Sequence, residues 1–252
     1  MINLEKIENE FNNYTSNYDI KNERIKLKIE HIKRVANNSK IISQNLNLSD
    51  EQINLAITIG YLHDIGRFEQ VRISNTFSDK ESGIDHSKMA IKILFSNNLI
   101  RKFIDETKYD EIIKKSILNH NKPKIENDLT DETLLFCKII RDADKLDILY
   151  TISQDEYSME SIFWYKDFNI KEISEDIIDD FKKNKHVNYS KIKTNADIIV
   201  IFYAFIFDIY FNTTKEIIFQ KKYLELFTQR VIKTFPSYKV HEQTKELLKL
   251  IK

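Results

Sequence analysis

Residues 56–70 read AITIGYLHDIGRFEQ, and this stretch decides the fold. Just before it, Ser49-Asp50-Glu51-Gln52 has the form of a capping box, in which polar side chains take up the free amides at a helix start. Apolar Ile53, Ala56, Ile57, Ile59 and Leu62 follow at helical spacing, so the pattern predicts a buried helix. His63 and Asp64 stand at its end, and Gly66 is expected to supply a left-handed stop.

The same punctuation extends in both directions. Upstream, Arg24 to Ser43 carries Ile25, Ile29, Ile32, Val35 and Ile42 on one helical face. Downstream, Val71 to Asp85 lacks periodicity and is rich in Ser, Asn, Thr, Asp and Gly, which predicts a long ordered loop. Helices are expected over His86 to Phe95 and Asp110 to His120, the latter halted by Asn121-Lys122-Pro123. Another starts at Thr130-Asp131-Glu132-Thr133 and extends through Leu149. Beyond Tyr150 the texture turns aromatic, with helices expected at 171–183, 194–211, 213–233 and 238–251. No repeat or Gly/Ser-rich linker interrupts the chain, so residues 1–252 read as one domain with a helical elaboration at about 151–252.

Composition removes several function classes. Thirty-nine Lys and Arg balance 39 Asp and Glu, which argues against an extended nucleic-acid surface. Three Gly and two Pro in 252 residues are too few for the turns of a sandwich or barrel, and an all-α fold is expected. Cys137 is the single cysteine, which excludes an intramolecular disulfide or a cysteine-based zinc site and suits a reducing, cytoplasmic setting. The first residues show no basic region followed by an apolar stretch, so no signal peptide is expected. Ile198 to Phe211, IIVIFYAFIFDIYF, is interrupted by Asp208 and too short for a membrane span; it reads as buried core. Trp164 with Phe163 and Tyr165 reads as packing, and His186 and His241 as structural or surface residues.

The residues that carry chemistry form a series: His31, His63-Asp64, His86, His120 and Asp144, each near a helix end or face. Five blocks around them, HIKRV at 31–35, AITIGYLHDIGRFEQ at 56–70, DHSKMA at 85–90, ILNHNKP at 117–123 and IIRDADKLDILY at 139–150, resemble the HD-domain superfamily of metal-dependent phosphohydrolases. The resemblance spans roughly residues 24–150 and implies an HD-domain helical bundle with a C-terminal helical extension. It further implies that His31, His63, Asp64 and Asp144 hold one metal ion, with Asp64 bridging to a second held by His86 and His120.

Imidazole and carboxylate together suit divalent first-row metals, here Fe, Mn, Zn, Co or Ni, whereas all-oxygen sites suit magnesium or calcium. Four histidines and two aspartates exceed one closed tetrahedral site but suit two open ones. A mononuclear alternative leaves His86 and His120 to bind substrate phosphate. Asp147 shares a helical face with Asp144 and rivals it as the last ligand, while Asp142 points elsewhere and is expected to pair with a cation. Arg67 is expected either to fork onto a substrate phosphate or to pair with Glu69 or Glu81. Arg141 also stands out among the scarce arginines.

The functional expectation is hydrolysis of a phosphomonoester or phosphodiester of a small, nucleotide-like substrate by metal-activated water, with Asp64, Arg67 and Lys145 at the reacting centre. Two alternatives share the ligand set: a di-iron oxygenase of the same fold, and a non-catalytic helical binding protein stabilised by metal. The aromatic surplus suggests a homodimer, which a large core explains equally well.

Overall fold

In the computed structural model, which describes residues 2–163 and 167–251, the capping box at Ser49 forms as the sequence predicts. The Ser49 hydroxyl accepts from the Gln52 amide, and the Gln52 side chain accepts from the Ser49 amide. Every described element is helical and no strand is found among the described residues, so the fold is all-α. The chain forms two compact units, Met1–Asp147 and Ile148–Lys252.

The first unit contains α1 (Leu4–Thr15), α2 (Glu23–Asn45), α3 (Asp50–Leu62), α4 (Gly66–Ser74), α5 (Asp79–Ser82), α6 (His86–Ile91), α7 (Ile100–Phe103), α8 (Asp110–His120) and most of α9 (Asp131–Ser153). α6 runs on through a π-helical turn at Lys92–Ser96. Of the apolar residues expected to face inward, Ile25, Ile32, Val35, Ile42, Ala56, Ile57, Ile59 and Leu62 are buried, whereas Ile29 and Ile53 are half-buried. Each buried Ile, Val or Leu side chain contributes about 1.5–3 kcal/mol by leaving water.

Two glycines bring the helices close enough to make a site. A Cβ on Gly60 would lie 2.6 Å from the Ala36 Cα, so α2 and α3 touch backbone to backbone there. Gly66 was expected as a left-handed stop, but it is the first residue of α4 and does not have a positive φ. What requires glycine is proximity: a Cβ there would lie 2.2 Å from the His86 carbonyl oxygen and 2.6 Å from the Ala90 amide nitrogen. The loop predicted over 71–85 is therefore shorter. Val71–Ser74 finishes α4, Asn75 ends it at φ 51°, and α5 forms a single turn before Asp85 caps α6.

The second unit holds α10 (Met159–Ile162), α11 (Glu175–Asn184), α12 (Asn195–Ala204), α13 (Asn212–Gln220), α14 (Tyr223–Thr234) and α15 (Tyr238–Leu250). Every residue of α12 is buried, as its unbroken apolar run requires. It stops at Ala204 rather than 211, passing into a 3-10 turn at Phe205–Asp208 with Phe207 and Tyr210 exposed. The helix expected over 213–233 is two, broken where Lys222 takes φ 56°. Periodicity alone does not register such a break, because the apolar spacing continues on both sides. Trp164 and Tyr165 lie outside the described residues. Among the described residues no helix is long and apolar enough to cross a membrane.

Candidate metal centre

The helices of the first unit deliver their histidines by distinct routes. His31 lies within α2, His63 is the C-cap of α3, His86 opens α6 and His120 ends α8. Asp64 directly follows His63, and Asp144 lies in α9. The four imidazoles are buried.

All four present Nε2 inward because each Nδ1 is committed elsewhere. His63 Nδ1 donates to the Gly60 carbonyl at 2.7 Å and His120 Nδ1 to the Ile117 carbonyl at 2.6 Å, each three residues back in its own helix. His31 Nδ1 donates to Asp147 Oδ2 at 2.7 Å, and His86 Nδ1 to Asp79 Oδ2 at 2.7 Å. With the Nδ1 protons so placed, the inward nitrogens carry lone pairs.

Asp64 stands between the two pairs of rings. Its Oδ2 is 3.7 Å from the Nε2 atoms of both His31 and His63. Its Oδ1 is 3.4 Å from His86 Nε2 and 3.6 Å from His120 Nε2. Asp144 Oδ1 joins the first group, 3.2 Å from His31 Nε2 and 3.9 Å from His63 Nε2. Ligands at bonds of about 2.1 Å around one ion stand roughly 3–3.5 Å apart, close to this spacing.

The donor set fits cations on physical grounds. His31 Nε2, His63 Nε2 and Asp64 Oδ1 are buried without a hydrogen bond, which is costly unless a cation meets them. His86 Nε2 and His120 Nε2 face each other at 3.1 Å, two lone pairs with both Nδ1 protons already spent. His31, His63 and Asp64 form one group able to hold an ion, and Asp64, His86 and His120 form another. Asp64 is common to both groups.

The electrostatics keep most of these groups in ligand form. Burial pushes the His63 imidazole down to about 3, and burial likewise lowers His86. Burial would raise the Asp64 carboxyl, but Lys28 and then His63 hold it well below the carboxylate range. For His31, burial and Lys28 act downward, yet the neighbouring Asp144 and Asp147 carboxylates leave it raised. The His31 ring thus stands between two carboxylates, Asp144 on its Nε2 side and Asp147 on its Nδ1 side.

The structure separates the two aspartates that competed for the last position. Asp144 faces the Nε2 side of His31, whereas Asp147 lies on the Nδ1 side and accepts from the Arg34 guanidinium. Asp147 is therefore placed to orient His31. Asp142 is buried in α9, and Lys145, beside Asp144, is also buried. Arg67 pairs with neither Glu69 nor Glu81. Its Nη1 donates to Asp79, Gln70 and the Phe77 carbonyl, and its Nε lies 3.6 Å from Asp64 Oδ1. Glu69 instead takes Arg72, one turn on. Arg141 donates to the carbonyls of Asn119, His120 and Lys122, meeting the free end of α8 that carries His120.

Sequence reasoning missed Lys28 and Asp79. Lys28 Nζ is 2.8 Å from Asp64 Oδ2 and 5.0 Å from the centre of the Phe77 ring. It lies three residues before His31 on α2, and that spacing was the available signal. Asp79 lies in the stretch without periodicity, where no sequence pattern marks it. His186 is exposed, and His241 donates through Nε2 to the Phe235 carbonyl at 2.6 Å.

Comparison with family models matches residues 29–149 to the one described as HD domain. No curated protein and no solved structure matches the chain.

Proposed function

From the match of residues 29–149 to a model described as HD domain, we propose that the protein is a metal-dependent phosphohydrolase acting on a small phosphate ester. The observation that carries the reading is the shared carboxylate, with one Asp64 oxygen toward His31 and His63 and the other toward His86 and His120. His31, His63, Asp64 and Asp144 would hold one divalent ion, and Asp64, His86 and His120 the other. When bound, such ions polarise a phosphoryl oxygen and bring the pKa of water near neutrality.

The protein's own groups do the remaining work. Lys28 and Arg67 flank Asp64 on opposite oxygens, placing positive charge where a phosphate dianion approaches. Lys145, buried next to Asp144 in α9, is the third cation that this reading assigns to the phosphate. Side chains of Lys28, Arg67 and Asp144 keep 14, 16 and 17% exposure, while His63 keeps none, so water reaches the group past those three residues. Such limited exposure strengthens each charge contact with the phosphoryl oxygens.

The test is turnover by protein loaded with Mn, Fe, Co, Ni or Zn against a panel of phosphomonoesters, phosphodiesters and nucleotides. Phosphate release that disappears on chelation and in His63→Ala is expected. No turnover of any member with any metal would overturn the reading, and oxygen consumption by the iron form would replace it with oxidation.

A further inference from the structure

The four histidines differ in what holds their outer nitrogens. His63 and His120 each end a helix, so a full turn of their own backbone offers a carbonyl at i−3. His86 is the first residue of α6, and the residue three before it, Gly83, lies outside that helix. Its Nδ1 instead donates to a carboxylate on α5, 2.9 Å from Asp79 Oδ1 and 2.7 Å from Oδ2. His31 is the parallel case, with Asp147 behind its Nδ1 and Arg34 behind Asp147. Behind Asp79 stands Arg67, with Nη1 2.8 Å from Oδ1.

We propose that Asp79 is the positioning residue of the second cation site, fixing the tautomer and ring of His86 so that the pair His86 and His120 retains an ion alongside Asp64. The inference rests on the two-cation reading above but does not require that phosphate be the substrate. A carboxylate behind an imidazole makes the opposite nitrogen a stronger donor than a backbone carbonyl does. Asp79 is also preorganised for this task. Buried Gln70 donates to Asp79 Oδ1 at 2.9 Å, to Ser82 Oγ at 2.9 Å and to the Ile84 carbonyl at 3.1 Å. Through Gln70 and Arg67, α4 fixes the whole turn between Asp79 and His86 before any ion arrives.

The test is metal stoichiometry and affinity of the full chain, measured by equilibrium dialysis with elemental analysis and by cobalt titration followed in the visible spectrum. Wild type is expected to take up two ions. Asp79→Asn, which keeps shape and removes charge, is expected to weaken the second by about tenfold to a hundredfold and leave the first unchanged. Asp147→Asn is expected to weaken the other ion instead. Asp79→Ser, which fits the same space, replaces the Asn variant should that one not fold. Unchanged affinity for both ions, equal loss of both, or a wild type that binds a single ion overturns the proposal. The turnover panel is read separately, so loss of the phosphohydrolase reading and loss of this one are distinguishable.

Discussion

Asp147 Oδ2 accepts the Nδ1 proton of His31 at 2.7 Å, and the same carboxylate takes the Arg34 guanidinium. One buried aspartate thus fixes an imidazole of the candidate metal centre from the side away from Asp64 and Asp144. Burial opposes its ionisation, but His31 and Arg34 hold its carboxyl below the ordinary value. Asp147→Ala would release the His31 ring and leave Arg34 without its buried partner. The metal-free variant is expected to lose about 1.5–3 kcal/mol in urea unfolding, the worth of hydrogen bonds to charged groups. Metal uptake at the His31 side is expected to weaken by about tenfold or more in a chelator competition.

Gly60 sets the distance between the helices that carry His31 and His63. Alanine is the better helix former by about 0.5–1 kcal/mol, so propensity alone would make Gly60→Ala stabilising. The new Cβ would meet the Ala36 backbone at 2.6 Å, which does not yield as a flexible side-chain end would. The clash is expected to win, with a net loss of about 1–3 kcal/mol and weaker uptake of the ion between His31 and His63. Equal or higher stability of the variant would show that α2 and α3 separate freely.

How much of this was legible beforehand follows from the range of each signal. The capping box at Ser49, the end of α8 at His120 and the start of α9 all depend on neighbours within four residues, and the sequence shows them. The six histidines and aspartates that the fold brings together were singled out because their blocks carry local patterns. Their outer partners are not legible as such: Asp147, which reaches His31 across 116 positions, reads in the sequence as a rival ligand, and Lys28 reaches Asp64 across 36. Gly66 was misread for a related reason. Its role depends on α6 lying against it, a tertiary fact that a single glycine at a helix junction does not reveal.

Arg141 is a fully buried cation that donates to three backbone carbonyls at the end of α8. Arg141→Met retains most of the volume and leaves those carbonyls without their donor. Buried acceptors left unsatisfied cost about 1–3 kcal/mol. Loss of that size in thermal unfolding is expected, together with faster amide exchange at Asn119 and His120. If exchange rises no more there than elsewhere, Arg141 acts as filler and not as the cap of α8.

The metal-free protein should lose stability as pH falls below neutrality. In the unfolded chain His63 takes a proton near its ordinary value of 6.5, whereas burial in the fold delays protonation until about 3. Between those values the unfolded state binds more protons, so its free energy drops relative to the folded state. The contribution of His63 is fully present above pH 6.5 and is lost progressively toward pH 3. His86 acts in the same direction, while His31, held up by Asp144 and Asp147, acts oppositely. The cleanest window is about pH 6.5 to 5, above the range in which unfolded carboxylates titrate. There each excess proton contributes a slope of about 1.4 kcal/mol per pH unit at most. Urea unfolding of chelated wild type should show stability rising with pH across that window. His63→Gln removes the delayed proton and should flatten the slope, and an unchanged slope in the variant would place the acid sensitivity elsewhere.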